Sequence, residues 1–346
     1  MLKKFLAVVM CVCLLSFVGC SKKTDTLSVD DGDEPEAPSS PTETVKSVVN
    51  PLTGLADISA EKAGDRAVAI MVNNIVLAQP VQNGLDKADI VYETEVEGGI
   101  TRLMAVYQDV SKVERIGSVR SARYPYVDLA MGHNAIYVHH GQDPIYCAPH
   151  LKDTDDVTLS EKNYGARIKN GLASEHTLYA YGDKLWQGLV NAGWKTANSN
   201  TQAWQNFAPE GTQVSLGTAA GSVTVPFSAS YKTTMNYDAA TGTYIRSFNG
   251  TVRKDYTSGN TENFKNVFVL LTTIRDYPDG KHRQVFLTSG SGYYFVNGTY
   301  TQINWSKGNA SDSIKFTNTD GTPLTVNAGN SWVCIADMNT SQPIIG

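Results

Sequence analysis

Ala88-Asp89-Ile90-Val91-Tyr92-Glu93-Thr94-Glu95-Val96-Glu97-Gly98-Gly99-Ile100-Thr101-Arg102-Leu103-Met104-Ala105-Val106-Tyr107 is the stretch on which the fold turns. Two runs rich in β-branched, aromatic and other apolar residues, Ala88 to Val96 and Ile100 to Tyr107, lie on either side of Gly98-Gly99. Such residues suit a pleated, buried surface, and glycines between two such runs mark a tight connection. The stretch therefore reads as two strands joined by a turn. Upstream, the continuous apolar run Ala67 to Val72 reads as a buried strand, and downstream Ala135 to Val138 reads as a fourth. Between them, Ser121 to Met131 is expected to form a helix with Pro125 in its first turn, where a missing N–H costs little. Thr177 to Ala192 is expected to be a second helix, with Thr177 as N-cap, Leu178, Leu185 and Leu189 on one face, and Gly193 just past its end. Strands alternating with helices predict a layered, mixed α/β region over residues 49–207.

Farther out the composition changes. Residues 208–222 are rich in Gly, Thr, Ala and Ser and are read as a boundary. Beyond them, Phe264 to Thr273, Gln284 to Thr288, Gly292 to Asn297 and Ser331 to Ala336 are Val-, Phe- and Tyr-rich runs punctuated by turn signals. Val296-Asn297-Gly298-Thr299-Tyr300 is a hairpin candidate, because Asn-Gly supplies the positive φ angles of a tight two-residue turn. Residues 223–336 are thus expected to be a smaller β-rich domain. The fold class is α+β: an N-terminal mixed α/β layered domain followed by that β-rich one.

At the far end stand Lys3 and Lys4, the fourteen-residue and almost wholly apolar run Phe5 to Val18, and then Gly19-Cys20. A basic start, a short apolar segment and a small residue before the cut describe a secretory signal. The run is too short to span a bilayer, which takes about 20 residues. Cys20 after Phe17-Val18-Gly19 resembles a bacterial lipobox, which implies acylation of Cys20 after removal of residues 1–19, with Phe17 where that pattern usually has Leu. Residues 20–48 carry many acids and Pro35, Pro38 and Pro41, with few large apolar groups, the composition of a disordered tether. The expected location is the extracytoplasmic face of the cell membrane, held by lipid. Removing two lysines and no acid takes the formal charge from −5 to −7, which argues against a nucleic-acid partner. Cys147 and Cys334 remain, far apart, and are read as buried free thiols.

Four of the ten arginines, Arg102, Arg115, Arg120 and Arg123, fall within residues 102–123. Arg120 and Arg123 surround Ser121, with Ser118 close by, at an expected entry into a helix. Guanidinium forks and backbone N–H groups at such an entry suit carboxylate or phosphate. Gly117 would let the backbone approach a ligand closely. Upstream, Glu93, Glu95 and Glu97 alternate along a strand, so their carboxylates are expected on one face. They form either an ion-pair network with the arginines or an acidic wall of a groove. His139, at a strand end, is a candidate ligand contact. His140, Cys147 and His150 have no standard zinc spacing, so no metal and no cofactor is expected.

The segments Glu97 to Arg102, Arg115 to Arg123 (with Val119-Arg120-Ser121-Ala122-Arg123) and Ala135 to Gly141 resemble the YerB-like bacterial lipoprotein family, built from the N- and C-terminal domains of unknown function 3048. Tyr244-Ile245-Arg246, Gly250, Asp255 and Asn266 resemble its C-terminal domain. Ser118 departs from that family's usual Pro. The resemblance implies a two-domain, lipid-anchored protein and no particular reaction. Three function classes follow. One is a binding module for an anionic cell-wall polymer, precursor or envelope protein at Arg102, Arg120 and Arg123. Another is an envelope enzyme acting on phosphate-containing wall or lipid-linked precursors, by loose analogy with the LytR-CpsA-Psr phosphotransferases. The last is a scaffold whose arginines are internally paired. No Gly-x-Ser-x-Gly or His-Glu-x-x-His hydrolase motif occurs, so binding is preferred to catalysis.

Overall fold

The structure, a computed structural model, describes residues 47–198 and 202–346. The expected signal peptide, Cys20 and almost all of the tether lie outside them. The first elements are β1 (Val68–Val72), β2 (Ile90–Glu95), β3 (Thr101–Tyr107), α1 (Tyr124–Gly132), β4 (Ile136–His139), β5 (Asp156–Thr158) and α2 (Gly182–Asn191). There follow β6 (Ser222–Ser228), β7 (Tyr231–Asp238), β8 (Thr243–Phe248), β9 (Asn266–Thr272), β10 (Ser289–Val296), β11 (Thr299–Ser306), β12 (Lys315–Asn318) and β13 (Ser331–Asp337). Helices are few and strands many, an α+β arrangement whose N-terminal part is mixed and whose C-terminal part is almost all β.

The two parts share one sheet. Its order runs β11-β10-β9-β13-β2-β3-β1-β4-β5, with short flanking pairings at β11. The seam is β2 against β13, in parallel register from Ile90↔Ser331 to Thr94↔Ile335. Neither strand could be left as an edge without cost, since β2 and β13 are buried along their whole lengths and would expose unpaired backbone groups. The described residues form one compact unit across the compositional boundary at 208–222.

Both faces of this sheet are covered, which is why its strands read as continuous apolar runs rather than as alternation. On one face, Val68, Ile70, Val91 and Leu103 pack with Leu185 and Leu189 of α2 and with Val223, Met235 and Phe248 of a second, antiparallel sheet built on β6, β7 and β8. On the other, Ala69, Met71, Tyr92 and Met104 pack with Tyr126, Val127 and Ala130 of α1 and with Phe268, Trp204 and Phe316.

The expected helix from Thr177 is shorter than its pattern. Leu178–Ala180 is a strand, hydrogen-bonded to Ile116–Gly117 on one side and Gly165–Arg167 on the other. The helix starts only at Gly182, where a Cβ would stand 2.0 Å from the Val110 carbonyl oxygen. Leu178 is therefore buried from a strand, while Leu185 and Leu189 are buried from the helix. Helix α1 also starts later than expected, with Arg123 as its N-cap residue and Pro125 in its first turn.

Strand directions position the candidate site. β1, β4 and β5 are mutually parallel, as are β9, β13 and β2, and β3 is antiparallel to both β1 and β2. All six parallel strands thus point the same way. Their carboxyl ends deliver Asn73 and Asn74, Glu95 to Glu97, and His139 to Gly141 to one edge, the edge at which open α/β sheets bind ligands.

Candidate functional site

The three arginines meet at this edge. Arg102, on β3, is 4% exposed, and its Nη1 donates to the Ser121 carbonyl at 2.7 Å. Its Nη2 bonds Glu97 at 3.1 Å. Arg123 closes on the same carboxylate, with Nε 2.8 Å from Oε2 and Nη2 on Oε1. Burial works to raise the Glu97 pKa, but the Arg123 hydrogen bond and the charges of Arg102 and Arg123 outweigh it and hold the carboxyl at about 2. Arg102 is pushed down to about 10 by burial first and then by the like charge of Arg123, against Glu97. Arg120 is different. Its Nη1 donates to the Glu175 carbonyl at 3.1 Å, its Nε has no hydrogen-bond partner, and it makes no ion pair among the described residues. Its segment is stitched between β1 and β4, with the Arg120 N–H on the Met71 carbonyl and the His140 N–H on the Arg120 carbonyl.

The glutamates do not form one acidic wall. Glu93 is fully buried, accepts from Asn74, Thr101 and Thr233, and has its pKa raised by burial. Glu95, 1% exposed, is gripped by Arg283 at 2.7 Å. Glu97 lies beyond the strand in the turn Glu97–Gly99, where Gly98 (φ 69°) and Gly99 (φ 67°) turn the chain and break the alternation. The three carboxylates therefore have three separate sets of partners.

Ser118 and His139 are internal. Ser118 is 1% exposed and accepts from Asn73, while His139 is fully buried between the Gly141 carbonyl and Asp156. Ser121 contributes its carbonyl to Arg102 and lies against Gly141. Gly117 serves close packing rather than an open approach: a Cβ there would lie 3.1 Å from the Tyr179 ring. His140 bonds the Leu159 carbonyl, and His150 lies 3.6 Å from Asp128. Together with Cys147 they make no metal-ligating group among the described residues. Burial pushes the Cys147 thiol up to about 12, so it is not a ready thiolate.

Local sequence reading did not reach several neighbours of the arginines. The hairpin of Ile274–Asp276 and Arg283–Val285 is pinned to the end of β2 by Arg283 on Glu95 and lines an open cavity of about 560 Å³ with Glu97, Gly98 and Gly99. Tyr277 of this hairpin stacks on Tyr146 at 3.7 Å, and His282 lies between Asp279 (2.6 Å) and Asp143 (3.4 Å). The only signal for the hairpin was Pro278-Asp279-Gly280, a turn dipeptide and its proline, which says nothing of what the turn touches.

Comparison with known proteins is consistent with this architecture. A "Putative lipoprotein YerB" of Bacillus subtilis is 29% identical over 312 residues, 85% of this chain and 87% of that protein. The crystal structure of YerB protein from Bacillus subtilis superposes with a TM-score of 0.72 at 27% identity, covering 86% of this chain and 99% of that one. Family models described as the protein of unknown function (DUF3048) N-terminal and C-terminal domains match residues 52–195 and 223–333, so the chain belongs to the DUF3048 family, both of whose domains it carries.

Proposed function

We propose that this is a lipid-anchored protein of the extracytoplasmic membrane face, and that the edge formed by Arg102, Arg120 and Arg123 binds an anionic group on a cell-wall polymer, a wall precursor or an envelope protein. The observation that carries the reading is Arg120, a guanidinium with one carbonyl partner beside Arg102 and Arg123, which between them hold the carboxylate of Glu97. A phosphate or carboxylate arriving there meets uncompensated positive charge and free N–H donors. The anchoring rests on the lipobox at Cys20 and on the relative named as a lipoprotein.

Arg120→Ala tests the site. An arginine whose charge has no internal partner strands no carboxylate when removed, so the melting temperature stays close to wild type while affinity for pyrophosphate, used as probe, falls about tenfold. A large drop in melting temperature with no pyrophosphate binding by the wild type would establish the scaffold reading instead. Mass spectrometry of the mature N-terminus tests the anchor: an unmodified Cys20 overturns it.

A further inference from the structure

The hairpin of Ile274–Asp276 and Arg283–Val285 reaches across to the N-terminal part and is held there at two levels. Its base is tied by Arg283 to Glu95 at 2.7 Å and by the Tyr124 hydroxyl, which donates to the Val285 carbonyl. Its tip is tied by the stack of Tyr277 on Tyr146 and by His282. Asp279 orders the tip itself, accepting from the N–H groups of Lys281 and His282 at 3.0 and 3.1 Å. The His282 ring lies between two carboxylates, with Nδ1 2.6 Å from Asp279 and Nε2 3.4 Å from Asp143. Asp143 is 2% exposed at its side chain and accepts from the N–H groups of Ile145, Tyr146 and Cys147. Among the described residues, His282 is its one ion-pair partner.

A carboxylate only accepts, and a neutral imidazole carries one N–H, so only the imidazolium donates to both aspartates. The shorter bond keeps a single remaining proton on Nδ1, so loss of the second proton costs the contact to Asp143, the one that joins the two parts. The crevice under the tip also holds Glu95, Glu97, Arg123 and Arg283, and Asp276 and Lys281 line its open side. Glu95 and Asp276 pair with Arg283 and Glu97 with Arg123, and none of these carboxylates lies within ion-pair distance of His282. We infer that the hairpin is a proton-operated strap: with His282 as imidazolium its tip closes over the crevice beside Glu97 and Arg123, and with the ring neutral the tip is released from Asp143 while the base stays tied. The closed form holds a proton that the open form does not need. Closure is therefore complete in mild acid and weakens as pH rises through the range in which histidine titrates, about pH 5 to 8. The strap does not depend on whether the arginine edge binds an anion.

The test is hydrogen exchange of the full chain, read by mass spectrometry at about pH 5.5 and about pH 8 and corrected for the intrinsic exchange rate. Protection over residues 143–147 and 277–283 is expected to be about tenfold greater at the lower pH, the worth of one charge-assisted hydrogen bond. His282→Gln donates an N–H at either pH and does not titrate. Asp279→Asn offers an amide N–H to Nδ1, so a neutral ring meets both neighbours and keeps its Nε2 proton for Asp143. In both variants the difference between the two pH values should disappear. The side chains of His282 and Asp279 are 22% and 24% exposed, and the second variant keeps the test open if the first misfolds. Equal protection at both pH values in the wild type, or the same pH dependence retained in either folded variant, overturns the strap.

Discussion

Glu97 serves the fold and, under the proposed function, would also oppose the ligand. Its carboxylate occupies two arginine forks that an incoming anion would use, so it is both a clamp and a competitor. Glu97→Gln should therefore lower stability by about 1.5–3 kcal/mol, the worth of charged hydrogen bonds, yet raise pyrophosphate affinity. Affinity unchanged or reduced in Glu97→Gln would show that Glu97 does not obstruct the site. The same group sets an acid limit. Its folded pKa, about 2, lies below the ordinary 4.5. The stability it contributes is complete above about pH 4.5 and is lost as pH falls through about 2. An acid-unfolding curve of Glu97→Gln should lose that part of the wild-type slope. At this scale the sequence was informative where partners are close along the chain: Arg102 and Arg123 do pair with Glu97. Glu95 and Glu93 find partners 188 and 140 residues away, in Arg283 and Thr233, and no local spacing encodes those.

Among the elements, the hairpin of β10 and β11 was the most legible, because its turn chemistry is self-contained. Val296 pairs with Thr299, and Asn297 and Gly298 take φ of 50° and 70° between them. Gly98 offers a control, with nearly the same φ but open space where a Cβ would go. At Gly298 that Cβ would come 2.8 Å from the Tyr237 ring. Gly98→Ala should cost about 1 kcal/mol of backbone strain, and Gly298→Ala more than that, because the clash adds to the strain. Thermal melts of the two variants compare them directly, and equal losses would mean that Tyr237 simply moves aside. The helix read from Thr177 failed for the opposite reason. Leu178, Leu185 and Leu189 are all buried, so the apolar pattern is real, but tertiary pairing of Leu178–Ala180 with Ile116–Gly117 and Gly165–Arg167 takes the first of them into a strand. Periodicity reports burial more faithfully than it reports backbone conformation.

Across the whole molecule, the β-rich character of the C-terminal part was readable and the shared sheet was not, since strand order is not written in composition. What joins the parts polar-side is Arg246, on β8, fully buried with Glu262 at 2.7 Å and reaching Asn74 at 3.0 Å from the N-terminal part. Its guanidinium also lies 4.5 Å from the centre of the Trp332 ring on β13. Arg246→Met would leave the Glu262 carboxylate buried and unpaired, a loss of about 3–5 kcal/mol. Chemical denaturation should show that loss in a single transition, monitored alike by tryptophan fluorescence and by circular dichroism. Two resolved transitions would mean that the parts are energetically separate despite their common sheet.

The β2–β13 seam makes the chain a natural candidate for fragment complementation. A cut in the exposed stretch at residues 210–213 leaves one fragment ending its sheet at β2 and another ending at β13. Each bare strand is long, apolar and unprotected, so either fragment alone should aggregate, whereas co-expression should recover a soluble heterodimer. The family's two domains would then be obligate halves, each acting as the other's folding partner, and neither could be transplanted without the matching strand.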